Sequence, residues 1–224
     1  MIQSAQIAAG WHEEHAGENR ILHGEAITTA AGSIFLQDDC WPELVERLRA
    51  DRGLRAFARR PEREYELLLG LARRSDCRLA LAYTTGGTIV GQVTVAPADS
   101  WWGGTEGTCE VAVEVSAGWR RLGIARQLLR LVAQREDWEE MIVLGMGLCW
   151  HWDTEGLGIN RFRYREVLKQ LFAPYGFDEY MTAEENIQMD PANILFVRLG
   201  SRVEKERINQ FLGRLLQSDG LPGL

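Results

Sequence analysis

Apolar residues recur along this chain with two periods. In "TCEVAVEV", Thr108 to Val115, they alternate: Val111, Val113 and Val115 fall on one face, Glu110 and Glu114 on the other, which predicts a strand. The runs flanking "TTGG" in "CRLALAYTTGGTIVGQVTVAPA" are rich in β-formers and predict a hairpin, with Gly86 and Gly87 able to take positive φ. "AITTAAGSIFLQD", Ala26 to Asp38, reads as strand or hairpin. "MIVLGMGLCWHWD", Met141 to Asp153, predicts a buried strand, and "NILFVRL", Asn193 to Leu199, a last one. Helical spacing appears elsewhere. Leu44, Val45 and Leu48 predict a helix over Cys40 to Leu54, with Asp38 and Asp39 as cap candidates. Further helices are predicted from Pro61 to about Arg73, from Gly123 to Glu136, over Asn160 to Phe172 and over Val203 to Leu216. Strands and helices are interspersed without repeats or low-complexity linkers, which predicts one mixed α/β domain. Residues 1–25 are polar and weakly patterned and are expected to be loosely ordered, with the domain running over 26–224.

Composition narrows the function. Charged residues make up 25% and the net charge is −7, where a general nucleic-acid binder would be basic. "RRPERE", Arg59 to Glu64, reads as a solvated helix face. Cys40, Cys77, Cys109 and Cys149 form no CxxC pair, so metal-ligand and redox motifs are absent and free thiols of a cytoplasmic protein are expected. The first residues lack the basic and apolar regions of a signal peptide, and no apolar run reaches membrane-spanning length. No metal, nucleic acid or membrane is expected, and the oligomeric state is left open.

The distinctive stretch is "GWRRLGIARQLL", Gly118 to Leu129. A strand, a turn, a glycine and an apolar helix make an anion site, because the first amides of a helix have no internal partners and the helix dipole adds positive potential. Gly123 removes a side chain from the approach, and Arg120, Arg121 and Arg126 can add charge-assisted hydrogen bonds. Neither GxxxxGK[ST] nor GxGxxG is present.

"VEVSAGWRRLGIARQLL" resembles the Q/R-x-x-G-x-G/A motif of the GNAT superfamily of N-acetyltransferases, matched at Arg120, Gly123 and Ala125, and "APYGF" resembles the close of that family's next helix. The resemblance implies a mostly antiparallel mixed sheet flanked by helices and splayed where acetyl-CoA enters. It implies that the backbone of Arg120, Arg121, Leu122, Gly123, Ile124, Ala125 and Arg126 cradles the CoA pyrophosphate, and that the strand at Val113 and Val115 pairs with the pantetheine arm. "WHWD", Trp150 to Asp153, with "YREVLKQLF", "DPANILFVRLG" and "INQF", is similar to the bacterial acetoin-utilisation subfamily. That similarity implies acetylation of a lysine on AMP-forming acetyl-CoA synthetase. Acetylation of a small amine and an acyl-CoA-sensing module without turnover are the alternatives.

The resemblance also implies a tyrosine acid four residues before the glycine of "GF", but Phe172 stands there and has no proton to give. Tyr164 and Tyr175 lie out of register. A lysine amine, with a pKa of about 10.4 in water, must lose a proton before it attacks a thioester, and a base assists. The candidates, in order, are His151, Glu110 and Glu114. On the expected strand Gly145, Gly147, Cys149, His151 and Asp153 share a face with room for close approach, and Asp153 is placed to orient His151. A strand-end histidine with a capping aspartate is the competing reading for that pair, and a solvent-facing pair for the two glutamates. Trp150 and Trp152 fit core or partner contacts, and Asp190 and Asn193 a turn.

Overall fold

The computed structural model describes residues 24–57, 60–102 and 107–217. Among them nine strands form one sheet: β1 (Gly24–Thr29), β2 (Gly32–Gln37), β3 (Arg49–Ala50), β4 (Arg78–Thr84), β5 (Thr88–Pro97), β6 (Thr108–Val115), β7 (Ile142–Gly147), β8 (Asp178–Tyr180) and β9 (Ile194–Leu199). Their order is β1-β2-β4-β5-β6-β7-β9-β8. All neighbours on that path run antiparallel except β6 and β7. The mixed, mostly antiparallel sheet is the one expected. The N-terminal segment expected to be loose lies outside the described residues up to 23. Gly24 and Glu25, assigned to it from the sequence, are instead part of β1 and pair with Gln37 and Leu36.

Seven helices are described: α1 (Pro42–Glu46), α2 (Pro61–Ala72), α3 (Ile124–Ala133), α4 (Thr154–Leu157), α5 (Arg161–Phe172), α6 (Glu185–Gln188) and α7 (Lys205–Leu215). Helices α3 and α5 cover one face of the sheet. Ile124, Leu128, Leu129 and Val132 of α3 are fully buried there with Phe172 and Phe177, each contributing about 1.5–3 kcal/mol. Gly91 on β5 lets α3 come close, since a Cβ there would meet the Ile124 side chain at 3.1 Å. On the other face α1 and α2 close over Leu79, Leu81 and Ile89, while α7 closes over Ile142, Leu144 and Val197.

Several expectations are corrected. The helix over Cys40 to Leu54 shrinks to α1, because carbonyls at the start of β5 and in the turn before it capture the amides that would continue it: Arg49 N donates to Gly87 O at 3.0 Å and Asp51 N to Ile89 O at 2.9 Å. Asp38 and Asp39 do not cap it. Trp41 is the N-cap, and both carboxylates pair with Arg135 beyond α3, at 3.0 and 2.5 Å. Of the two hairpin glycines Gly87 alone has positive φ, at +73°. In "RRPERE" Glu62 and Arg63 are solvated, but Glu64 is buried and accepts a 2.8 Å bond from Phe57 N; Arg59 lies outside the described residues. The strand expected to reach Asp153 ends at Gly147, and Cys149–His151 forms a 3₁₀ turn.

Candidate active site

Strands β6 and β7 pair over three rungs, Thr108 with Ile142, Cys109 with Val143 and Glu110 with Leu144. Beyond Glu110 no pairing follows, although β6 runs on to Val115 beside β5. The gap is a cleft of about 580 Å³. Its walls come from β6, the β6–α3 loop, the start of α3, the glycines of β7, the 149–151 turn, α5, and Ala56 and Phe57.

One wall is backbone. After β6 a 3₁₀ turn (Ala117–Trp119) leads to Arg121 with φ +62° and to Gly123 with φ +79°, which is the N-cap of α3. Gly123 brings no side chain, so no side-chain cap bond is made, and the space where its Cβ would stand is empty for 4 Å. The first amides of a ten-residue helix therefore face open space. Ala125 and Arg126 line the cleft beside them, Leu122 packs against the core and Ile124 is buried within it. Of the arginines, Arg121 is exposed at the cleft. Arg120 is turned inward: its Nε donates to Val115 O at 3.2 Å and its Nη1 pairs with Asp153. Uncapped amides, bare space and flanking guanidinium groups fit a diphosphate. The unpaired edge of β6 at Val113 and Val115 fits an extended amide-bearing chain.

The opposite wall is made of side chains. Glu114 is 6% exposed, and its Oε1 accepts from the amides of Arg55 at 2.7 Å and Ala56 at 2.8 Å. Its Oε2 is buried with no hydrogen-bond partner. Burial, reinforced by Glu64 and opposed by the two amides, pushes this carboxyl up to about 7. Glu110 is raised to about 6, by burial and then by Asp99 and Glu184. Both line the cleft, so the solvent-facing reading of the glutamates is corrected. Ala56 ties the wall together: while its N–H serves Glu114, its carbonyl oxygen lies 2.7 Å from His151 Nδ1. A carbonyl only accepts, so Nδ1 carries the hydrogen and Nε2 holds the basic lone pair.

Asp153 does not orient His151. It caps α4 by accepting from Gly156 N at 2.9 Å, and the Arg120 guanidinium holds its carboxyl below the usual range. The glycine face of β7 is likewise corrected. A Cβ on Gly145 would touch Phe172 at 3.6 Å, and one on Gly147 would meet Ile194 at 2.7 Å, so core side chains use that room. Phe172 lines the cleft but has no proton to give, its ring buried between Phe196 (ring centroids 5.0 Å apart) and Phe177 (5.1 Å).

Asn193 and Asp190 do form a turn, with Asn193 N donating to Asp190 O at 2.9 Å. Asn193 does more: its Oδ1 accepts from Cys149 N at 2.8 Å, which bolts the turn carrying His151 to the start of β9. Sequence reasoning missed the 55–57 segment, Glu64 and Tyr164. "RAF" carries no local signal, and Tyr164 was set aside only because of its register on α5.

Residues 39–138 match the acetyltransferase (GNAT) family. Acetoin utilization protein AcuA of Bacillus subtilis (strain 168) is 31% identical over 198 residues, which cover 86% of this chain and 93% of that protein. AcuA of Bacillus licheniformis is 27% identical over the same shares of each. The crystal structure of an acetoin utilization protein from Exiguobacterium sibiricum 255-15 superimposes with a TM-score of 0.81 at 27% identity, covering 89% of this chain and 97% of that one. The splayed sheet, the uncapped helix start and these relatives agree: the chain belongs to the GNAT family of acetyltransferases, beside the acetoin utilization proteins, and is an N-acetyltransferase.

Proposed function

We propose that this protein moves the acetyl group of acetyl-CoA to the amine of one lysine on a folded partner in the bacterial cytoplasm, and that the partner is AMP-forming acetyl-CoA synthetase, which is thereby inactivated. The observation that carries the chemistry is that Glu114, with an unpartnered Oε2, lines the same cleft as the uncapped start of α3. When bound, acetyl-CoA supplies an acyl group activated as a thioester. The amides from Arg121 to Arg126 hold its diphosphate and fix its depth.

Glu114 then takes the proton that the lysine nitrogen must shed. A carboxyl raised to about 7 is ionised often enough at neutral pH to be ready, and basic enough to accept. Its Oε1 is anchored by two amides, which holds the carboxyl in place and leaves Oε2 as the acceptor without a partner. Glu110 adds negative potential that favours a cationic amine, and His151 Nε2 offers a second acceptor. The order of candidates becomes Glu114, His151, Glu110, because Glu114 combines burial, anchoring and a vacant acceptor atom.

A protein acceptor is supported by the cleft's surroundings. Trp150, beside His151 of the cleft lining, is 39% exposed. An apolar ring left in water there suits contact with a folded surface. The test is incubation of the protein with acetyl-CoA and the synthetase, reading target mass and free thiol release together. One acetyl group on a single lysine, with matching thiol, is expected. Labelling of polyamines alone, or of many exposed lysines, would sink the proposal.

A further inference from the structure

The cleft has a base but, with Phe172 in place of a tyrosine, no obvious source for the proton that the leaving sulfur needs. Five tyrosines are present: Tyr65, Tyr83, Tyr164, Tyr175 and Tyr180. Tyr164 alone among them lines the cleft. Tyr175 is committed elsewhere, its hydroxyl donating to Arg126 O at 2.5 Å. Tyr164 sits two turns before Phe172 on α5, its ring stacked flat on Trp152 with centroids 4.9 Å apart and planes 5° from parallel. The stack leaves the ring little freedom, which is how a small donor is kept on target. Among the described residues no protein group takes a hydrogen bond from its hydroxyl. The charged groups that act on it are Arg120 on the β6–α3 loop, Asp153 at the N-cap of α4 and Glu114 on β6. Arg120 and Asp153 are paired with each other, so they set the local field without competing for the hydroxyl.

We propose that Tyr164 is the proton donor of this acetyltransferase, delivering its phenolic hydrogen to the sulfur that departs from the acetyl carbon. The bonds balance as follows. The amine nitrogen forms the N–C bond and its proton passes to Glu114. The C–S bond breaks with its electron pair on sulfur, the phenolic O–H breaks, and an S–H bond forms. The phenolate is reprotonated from water and Glu114 releases its proton to water, so the net change is amine plus thioester to amide plus thiol. Burial holds the phenol above its ordinary range, so it stays protonated at neutral pH and is available to give. The paired Arg120 guanidinium, held by Asp153 and by Val115 O, offers a cation for the transient phenolate. This explains why the chain tolerates phenylalanine at 172: the donor has moved two turns along the same helix, to the face where Trp152 can brace it.

The proposal rests on acetyl-CoA as donor but not on the identity of the acceptor, and its test keeps the two apart. Thiol release is followed both with the acceptor and in the slow acceptor-free reaction, in which water takes the place of the amine and the sulfur still needs a proton. Tyr164→Phe should lower both rates about 10²-fold or more while the acetyl-CoA binding isotherm is unchanged. A Tyr164 carrying ring fluorines, and so a more acidic phenol, should move the alkaline limb of the turnover profile to lower pH. That second variant also serves if Tyr164→Phe folds poorly. Rates within about twofold of wild type for Tyr164→Phe, or an alkaline limb that ignores the fluorines, would overturn the assignment. A wild type that releases thiol without acceptor but never acetylates the synthetase would overturn only the choice of partner.

Discussion

The two walls of the cleft are built on different principles. The wall at Arg120 to Arg126 is one continuous stretch, and what it presents is backbone: uncapped amides, a positive-φ glycine and empty space. The wall opposite gathers side chains and peptides from four separate places, Glu114 on β6, the 55–57 segment, the 149–151 turn and α5. A backbone site needs only the right local conformation, so a dozen residues encode it. A proton-transfer site needs groups with different pKa values held at fixed distances, and one strand or helix cannot supply them. The first wall should therefore be sensitive to conformation and the second to single atoms.

The largest effect that would separate the walls is Glu114→Gln. The amide keeps an acceptor for the Arg55 and Ala56 hydrogen bonds but cannot take a proton, so turnover should fall by about 10²–10⁴-fold with acetyl-CoA affinity unchanged. With Glu114 as the proposed base the carboxylate is the active form, so activity should be present above about pH 7 and lost as pH falls through it, and that limb should vanish in the variant. Stability gives an independent sign. A folded pKa raised from about 4.3 to about 7 means the folded state binds more protons in between, so wild-type stability should decline as pH climbs through that window. Melting curves for Glu114→Gln at pH 5 and pH 8 should show a smaller decline, the remainder coming from Glu110, which burial raises to about 6. Equal activity of variant and wild type at pH 8 would put the base elsewhere.

Gly123→Ala is the counterpart on the backbone wall. A Cβ finds no clash there, but φ of +79° costs an alanine about 1–2 kcal/mol. Acetyl-CoA should bind about tenfold more weakly, with turnover at saturation close to wild type. A variant that binds normally would show that the amides are not the cradle.

Asn193→Ala asks how firmly the second wall depends on remote support. It leaves the Cys149 amide without its partner, which costs about 1–3 kcal/mol in thermal or denaturant unfolding. Turnover should fall while acetyl-CoA affinity holds, because the turn that loosens carries His151. An unchanged melting temperature would mean that the turn is held without it. The smallest contrast is between neighbouring arginines. Arg121→Ala should weaken acetyl-CoA binding by about two- to fivefold, less so at high salt, whereas Arg120→Ala should leave affinity nearly intact and reduce turnover. Equal losses of affinity would place both guanidinium groups on the diphosphate.

How much of this was legible in the sequence follows from the same contrast. Alternation on Thr108 to Val115 and the Arg120, Gly123, Ala125 spacing located β6, α3 and the open helix start, because each depends on residues a few positions apart. The helix expected over Cys40 to Leu54 failed because the amides of Arg49 and Asp51 are claimed nearly forty residues on, by Gly87 in the turn before β5 and by Ile89 on it. The strand expected to reach Asp153 failed because the Cys149 amide is claimed by Asn193. Asp153 looked like the partner of His151 two residues away, yet its cation is Arg120 and the histidine's partner is Ala56.

Local spacing, turn chemistry and the hydrophobic period thus determined the fold class, the backbone wall at Arg120 to Arg126 and the residue types available for chemistry. Only the tertiary structure decided which carboxylate is buried with a vacant oxygen, which nitrogen of His151 is basic and which tyrosine faces the cleft. Burial and hydrogen-bond pairing depend on every element packed around a group, and those neighbours come from across the whole chain, from Ala56 to Asn193.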